Sequence, residues 1–219
     1  MIHKVSTQRL VPLLVLTACL GATLSACVPL VPLMVGGTFV GGAMVATDRR
    51  TSGTQLEDEG IELRSGARLR DNLGDRIHVN ITSYNRQVLL TGEVPSAQDK
   101  QLVEQVVSKV DNVRSIVNEV SVTGHSTLGQ RTSDSMVTGR VKAGFVDAKD
   151  LFANAFKVVT ERGTTYLMGR VTPREANRAA DVARNVDGVH KVVRVLDIIS
   201  EDELANQQLP QPAPVDYTK

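Results

Sequence analysis

Cys27 is the side chain whose sequence context predicts covalent chemistry. It ends the tetrapeptide Leu-Ser-Ala-Cys at residues 24–27, which matches the lipobox, where the cysteine sulfur receives a diacylglycerol and becomes the first residue of the processed chain. A positively charged start and a short apolar run over residues 11–20 precede it, as in a secretion signal. We therefore expect a lipoprotein signal peptide over residues 1–26 and a lipid on Cys27. The alternative is an ordinary signal peptide with a chance cysteine.

The second cysteine, Cys19, lies in the apolar run and would leave with the signal peptide. The processed chain would then have neither a disulfide nor a free thiol, although an exported protein meets an oxidising compartment. Its stability must therefore come from packed cores. The residue after Cys27 is Val28 rather than Asp, and by lipoprotein sorting rules this implies the outer membrane, with the protein facing the periplasm.

Residues 28–46 are apolar or small throughout and are close to the minimum length of a membrane span. Pro29 and Pro32 disfavour a helix at the start of this segment, and four glycines weaken the rest. We expect residues 27–54 to form a lipidated, glycine-rich tether at the membrane surface, with a true span as the alternative.

The other side chains that could do chemistry do not form a catalytic or ligand set. His78, His125 and His190 have neither a cysteine nor a second histidine at metal-ligand spacing. Asp111 and Asp187 fall in turn sequences, where aspartate is favoured for backbone reasons. The serines have no nucleophile-elbow context, and no P-loop is present. We expect no enzyme activity, metal or cofactor. We also expect no nucleic-acid binding, because no row of aromatic residues accompanies a basic face.

The chain contains an internal repeat. Leu-Thr-Gly-Glu-Val at residues 90–94 recurs 77 residues later as Leu-Met-Gly-Arg-Val at residues 167–171. Such a repeat predicts two small domains, over residues 55–123 and 132–200, joined by a linker over residues 124–131. Because this linker is short, we expect the two domains to contact each other. Residues 201–219 are polar and rich in proline, which predicts a disordered tail.

Each repeat has the pattern helix, strand, strand, helix, strand. Alternating apolar residues indicate the strands, and apolar residues at a spacing near 3.6 indicate the helices. Ser96 and Thr172 are predicted to cap the second helices, with Pro173 at the first helical position. The fold class is therefore α+β: two α-β-β-α-β two-layer sandwiches, each with a three-stranded mixed sheet and two helices. The predicted first helices span 56–73 and 134–146, the hairpin strands 77–81 with 88–94 and 156–160 with 165–171, and the last strands 116–122 and 192–199.

This pattern of a strand ending in x-Leu-x-Gly-x-Val, an alanine- and valine-rich helix, and a valine-rich last strand resembles the BON domain. The signal, lipobox, glycine-rich stretch and two such units together resemble dual BON-domain outer-membrane lipoproteins of the DolP type. The resemblance implies that the first helix of the second domain contacts anionic phospholipids such as phosphatidylglycerol and cardiolipin. It also implies a role in envelope integrity and at the division site.

The two domains differ in charge. Residues 55–123 contain 8 Lys or Arg and 11 Asp or Glu, a net of −3, whereas residues 132–200 contain 11 and 8, a net of +3. The first helix of the second domain carries basic and apolar residues together, as expected for a helix at an anionic lipid surface. Val137, Val141 and Phe145 form one stripe that we expect to pack on the domain's own sheet. The candidate phospholipid-binding residues are Met136, Arg140, Lys142, Phe145, Arg131 and Lys149.

Two interpretations of function remain open from the sequence. One is a phospholipid-docking protein that acts through its second domain. The other is a periplasmic scaffold that binds an outer-membrane protein or an assembly machinery through an exposed sheet edge or the acidic first helix.

Overall fold

The computed structural model describes residues 48–208. Cys27, the signal peptide and most of the predicted tether lie outside the described residues. Within residues 48–208, no helix combines the length and apolar character that a membrane crossing needs.

The described chain consists of two similar α/β domains and a C-terminal helix. The first domain contains α1 (Ser52–Leu73), β1 (His78–Tyr84), β2 (Gln87–Val94), α2 (Ala97–Ser108), β3 (Ser115–Asn118) and β4 (Ser121–Val122). The second contains α3 (Leu128–Asp147), β5 (Phe156–Glu161), β6 (Thr164–Val171), α4 (Pro173–Arg184) and β7 (Lys191–Ile198). Short 3-10 helices, Gly74–Arg76 and Ala153–Ala155, lead into β1 and β5. The last element is α5 (Glu201–Gln208).

Both sheets are mixed, as predicted. β1 and β2 form an antiparallel hairpin, and β3 and β4 both pair with β2 in parallel. These two short strands are parts of one last strand. Between them the Glu119 N–H still bonds to the Leu90 carbonyl oxygen of β2, and the Val120 N–H bonds to the Asn118 side chain. In the second domain, β5 pairs antiparallel and β7 pairs parallel with the central β6. The α-β-β-α-β two-layer fold is thereby confirmed.

The hairpin turns are two residues long in both domains. Asn85 and Arg86 have φ angles of 50° and 62°, and Arg162 and Gly163 have 50° and 72°. Two consecutive positive φ values define a type I′ turn, which matches the twist of the strands that it joins.

The helix starts depend on hydroxyl caps. Ser96 caps α2, and Thr172 caps α4 with Pro173 at its first position, both as predicted. For α3, however, the predicted start at Asp134 is wrong. Thr127 and Gln130 form a capping box that starts the helix at Leu128, so Arg131 lies in the first turn of α3 rather than in a linker.

In each domain, both helices pack on one face of the sheet. In the first domain, Ile61 and Leu69 of α1 and Val103 and Val107 of α2 are buried with Leu90 of β2. In the second, Val137, Val141 and Phe145 of α3 pack with Ala179 of α4 and Leu167 of β6. The prediction that the α3 stripe is a core element is confirmed.

The opposite faces of the two sheets pack against each other, which confirms the predicted contact between the domains. Tyr84 and Leu89 of the first sheet form one buried cluster with Tyr166, Met168 and Val195 of the second. This interface buries the sheet faces that the helices do not cover.

The prediction of disorder after residue 200 is wrong for its first part. Residues 201–208 form α5, in which Leu204 is buried and Glu203 pairs with Arg170. The Ser200 hydroxyl accepts the backbone N–H of Glu203 at the start of this helix. Residues 209–219 lie outside the described residues.

Candidate functional site

The outward side of α3 carries three large apolar residues that nothing in the described chain covers. Leu128 is 80% exposed, Met136 57% and Val146 70%. Leu128 and Val146 are 18 residues apart, which at 100° per residue is five full turns, so both point in one direction about 27 Å apart. Met136 lies 80° away on the same side. We call these three residues the outer α3 stripe.

Lys142 borders this stripe. Its position is 40° from the line through Leu128 and Val146 on a helical projection, and its side chain is exposed. Among the described residues, neither Lys142 nor the exposed Lys149 beyond the helix end forms an ion pair. Both ammonium groups are therefore available to an external anion. Met136 and Lys142 flank the line through Leu128 and Val146 on its two sides, and Lys149 is exposed beyond the helix end.

Two other predicted site residues have hydrogen-bond partners within the fold. Arg140 is exposed and donates a hydrogen bond to the Asp187 carbonyl oxygen at 3.3 Å, on the side of α3 that faces α4. Arg131 is half-buried and donates through Nε to the Ser126 hydroxyl at 3.0 Å. Arg131 lines a cavity of about 230 Å³ together with Asp134 and Glu161. Its guanidinium therefore faces carboxylates rather than the outer surface.

Phe145 belongs to the core. It is fully buried, and its ring centroid lies 5.1 Å from that of Phe156 on β5. The prediction of lipid contact by Phe145 is therefore withdrawn. Leu128 and Val146 take its place as apolar surface residues. The Thr127–Gln130 capping box, visible in the sequence, was the signal that would have placed Leu128 on the helix.

The equivalent helix of the first domain has a different outer surface. With Asp58 aligned to Asp134, the positions of Leu128, Met136 and Lys142 are occupied by Ser52, Gly60 and Gly66. Its exposed apolar residues are instead Leu56 and Leu63, which are 70% and 75% exposed and flank the acidic Glu59. α1 also carries an exposed arginine that forms no ion pair among the described residues, Arg70, but an acidic residue, Glu59, lies between its two exposed leucines in the sequence.

Buried carboxylates in the first helices hold the hairpins. Asp58 accepts the backbone N–H groups of Asn85 at 2.8 Å and Arg86 at 2.7 Å, together with the Ser83 hydroxyl at 2.7 Å. Burial alone would raise the pKa of Asp58, but these hydrogen bonds and the one from Arg50 outweigh it and lower that pKa. These contacts identify Asp58 as a structural group.

A second polar cluster lies at one end of the interface between the sheets. Glu93 is fully buried, and its carboxylate lies 2.9 Å from His78 Nδ1 and 3.3 Å from both the Ser126 hydroxyl and Arg162 of the second domain. Burial opposes ionisation of Glu93, but these three partners together lower its pKa. Glu161 lies nearby with a single amide partner, Asn80, at 2.9 Å, and burial raises its pKa.

The prediction that the chain has no metal site bears on this polar cluster, because the cluster contains a histidine and two glutamates, His78, Glu93 and Glu161. Within residues 48–208, no three histidine, cysteine, aspartate or glutamate side chains are grouped so that they could hold a metal ion. His78 lies against Glu93, His125 lies 3.2 Å from the Arg76 carbonyl oxygen, and His190 is exposed beside the second hairpin turn.

Known proteins resemble this chain along most of its length. The family model described as the BON domain matches residues 57–124 and 133–200. The outer membrane lipoprotein DolP of Haemophilus influenzae is 39% identical over 193 residues, which cover 86% of this chain and 97% of that protein. The 21 kDa hemolysin of Actinobacillus pleuropneumoniae is 33% identical over 154 residues, which cover 69% and 79%.

A solved structure, the C-terminal domain of CdsD from the type III secretion system of Chlamydia trachomatis, is 13% identical. The match covers 63% of this chain and 96% of that one, with a TM-score of 0.27.

Proposed function

Because the chain belongs to the family of dual BON-domain outer-membrane lipoproteins of the DolP type, we propose that it is a non-enzymatic membrane-docking protein. In this proposal an acyl group on Cys27 holds it at the outer membrane, facing the periplasm. The second domain then docks on anionic phospholipid, with phosphatidylglycerol and cardiolipin as the headgroup class.

The observation that supports this proposal is the outer surface of α3. Leu128, Met136 and Val146 offer apolar contacts, and Lys142 lies beside them without a partner among the described residues. An interfacial helix needs this combination of apolar insertion and positive charge. Each Lys or Arg close to an anionic surface contributes about 1 kcal/mol, so docking by α3 alone is weak, reversible and sensitive to salt.

The acyl chains would supply stable attachment, whereas α3 would supply orientation and lipid preference. A single additional contact of moderate strength is enough for that role because the protein is already confined to the membrane.

Vesicle sedimentation tests this function. The mature chain with Cys27→Ser is mixed with vesicles of phosphatidylglycerol or cardiolipin, and in parallel with vesicles of phosphatidylcholine, at low and high salt. We expect binding to the anionic vesicles only, and release at high salt because the attraction is screened. Equal binding to neutral vesicles, or none to either, would refute docking on anionic lipid.

The envelope role follows from the same surface. Cardiolipin and phosphatidylglycerol enriched at a division site would concentrate the protein there, where it would support envelope integrity. A strain that carries the chain with Lys142→Glu should lose septal enrichment of a C-terminal fluorescent fusion and become more sensitive to detergent. Normal localisation of this variant would argue against anionic lipid as the feature that directs the protein to the division site.

A second candidate function, binding of an outer-membrane protein, is favoured by α1. Leu56 and Leu63 are exposed one above the other, with the acidic Glu59 beside them and the exposed Arg70 further along the same face. Apolar contacts with charges of both signs suit a protein partner rather than an anionic lipid. Loss of a co-purifying protein in Leu63→Glu, with vesicle binding unchanged, would support this function; an unchanged set of co-purifying proteins would count against it.

A further inference from the structure

The segment that links the predicted tether to the first domain contacts both domains through consecutive arginines. Arg49 makes two hydrogen bonds of 2.7 Å to the Glu175 carboxylate at the start of α4 and one of 3.0 Å to the Arg170 carbonyl oxygen. The Arg49 side chain is 7% exposed and that of Glu175 is 1% exposed. This is a bidentate, shielded pair, the strongest geometry that an arginine and a carboxylate can form.

Arg50 binds the first domain instead. It donates to Asp58 at 2.8 Å and to Asp48 at 2.7 Å, and its guanidinium carbon lies 4.2 Å from the centroid of the Tyr84 ring. Tyr84 is part of the apolar cluster between the two sheets. Arg50 therefore covers one edge of the interface between the domains.

The two ends of this interface are closed by different parts of the chain. Tyr84 lies at the turn end of β1, whereas His78 and its partner Glu93 lie at the other end, about 20 Å away along the strand. At the Glu93 end, Ser126 of the connection between the domains closes the gap. At the Tyr84 end, residues 48–50 do so.

The same segment passes close to the end of α3. The Arg49 guanidinium lies 5.9 Å from the centroid of Phe152, which follows α3 and is 47% exposed. Val146 and Lys149 lie on the same end of the helix. The Arg49 side chain therefore lies beside the segment that follows α3.

We infer that residues 48–50 form a strap that locks the two domains together and attaches the lipid-anchored segment beside the C-terminal end of α3. Docking of α3 then becomes an intramolecular event on the leaflet that holds the lipid. The part of this inference that concerns docking rests on the proposed function, whereas the locking of the domains does not.

The locking is tested by thiol labelling. In the mature chain with Cys27→Ser, a cysteine introduced as Val117→Cys, which is partly buried between the sheets, is the single thiol. The double substitution Arg49→Gln/Arg50→Gln removes the charged hydrogen bonds that hold the two domains together. The sheets should then separate more often, and the thiol at position 117 should be labelled about ten times faster. Labelling of a separate Val106→Cys reporter, in the first domain's own core, should not change.

The matched control Arg64→Gln with Arg76→Gln removes two more exposed ion pairs of the first domain. It should leave the labelling rates of both reporter cysteines unaltered.

If the double variant fails to fold, Glu175→Gln replaces it, because glutamine can still accept the Thr172 N–H and keep the α4 cap. If the folded variant without these contacts is labelled at Val117→Cys as slowly as the parent chain, the inference that residues 48–50 lock the domains together is wrong.

The docking part is tested on the lipidated chain in phosphatidylglycerol vesicles, with a polarity-sensitive dye on Gly139→Cys, an exposed and uncrowded site of α3. With the strap intact we expect an apolar dye environment, and a loss of that signal in Arg49→Gln/Arg50→Gln. The same substitutions in the unlipidated chain should leave vesicle affinity unchanged. An equal dye signal with and without the strap would overturn intramolecular docking. If the unlipidated parent binds no vesicles, the proposed function fails, and the thiol labelling alone decides the strap.

Discussion

Asp58 and Asp134 lie 76 residues apart in the chain and hold the two hairpin turns in the same way. Asp134 accepts the backbone N–H groups of Arg162 at 2.8 Å and Gly163 at 3.0 Å, and its side chain is buried. We predict that Asp134→Ala lowers the free energy of unfolding by about 1–3 kcal/mol, because two buried donors lose their acceptor. Urea unfolding measures this loss. Asp181→Ala, which removes an exposed carboxylate paired with Arg184, should cost much less; equal losses would contradict the structural role of Asp134.

Two glycines should respond to alanine in opposite directions. Gly92 has φ +108°, and a Cβ there would lie 2.1 Å from the His78 carbonyl oxygen on the neighbouring strand. Gly92→Ala should therefore destabilise the chain by about 2 kcal/mol or more. Gly139 is helical and exposed, with nothing within 4 Å of an added Cβ. Gly139→Ala should stabilise the chain by about 0.5–1 kcal/mol through helix propensity. Thermal unfolding of both variants decides the prediction, and a stabilising Gly92→Ala would refute the close strand approach.

The interface cluster predicts opposite pH effects for two glutamates. The pKa of Glu93 is lowered from its ordinary value of 4.5, so its ionised contacts stabilise the fold above that pH and are lost as the pH falls through the lower value. The pKa of Glu161 is raised, so its charge costs stability at neutral pH, and this cost disappears on acidification. At pH 7, Glu93→Gln should destabilise and Glu161→Gln should stabilise the chain. In denaturant titrations the Glu161→Gln difference should shrink as the pH falls toward 4.5, whereas the Glu93→Gln difference should shrink only below 4.5. Shifts of the same sign at pH 7 would contradict this assignment.

Two methionines of the second domain provide a matched pair for the sheet-to-sheet interface. Met168 is fully buried between the domains, whereas Met136 is 57% exposed on α3. Met168→Ala should lower the free energy of unfolding by about 2–5 kcal/mol. Met136→Ala should change it by less than about 0.5 kcal/mol. Comparable effects of the two substitutions in chemical denaturation would mean that the interface contributes little to stability.

The local features of the fold were predictable because they depend on residues close together in the chain. The Asn85-Arg86 and Arg162-Gly163 turns and the Ser96 and Thr172 caps all follow from short-range rules. The start of α3 differs from the prediction because the regular apolar spacing begins only at Val137, whereas the helix begins at the Thr127–Gln130 capping box. Without that first turn, Leu128 did not enter the predicted surface.

Contacts between residues that are far apart in the chain could not be predicted from the sequence. Arg49 and Glu175 are 126 residues apart, and nothing in the local pattern of either residue specifies the other. The exposure of Val146 and the burial of Phe145, neighbours in the chain, also depend on where α3 rests on its sheet. The stripe of Val137, Val141 and Phe145 did indicate that orientation, which is why the core side of α3 was predicted better than its outer side.

The measurement that tests the central claim most directly is vesicle binding by surface variants of the unlipidated mature chain. Met136→Glu with Lys142→Glu should abolish binding to phosphatidylglycerol vesicles, because it places negative charge in the outer α3 stripe and removes its cation. The matched control, Leu63→Glu with Lys109→Glu on exposed positions of the first domain, applies the same change of charge and should bind like the parent chain. Loss of binding in the α3 variant alone is the predicted result, and equal binding by all three chains would contradict docking through α3.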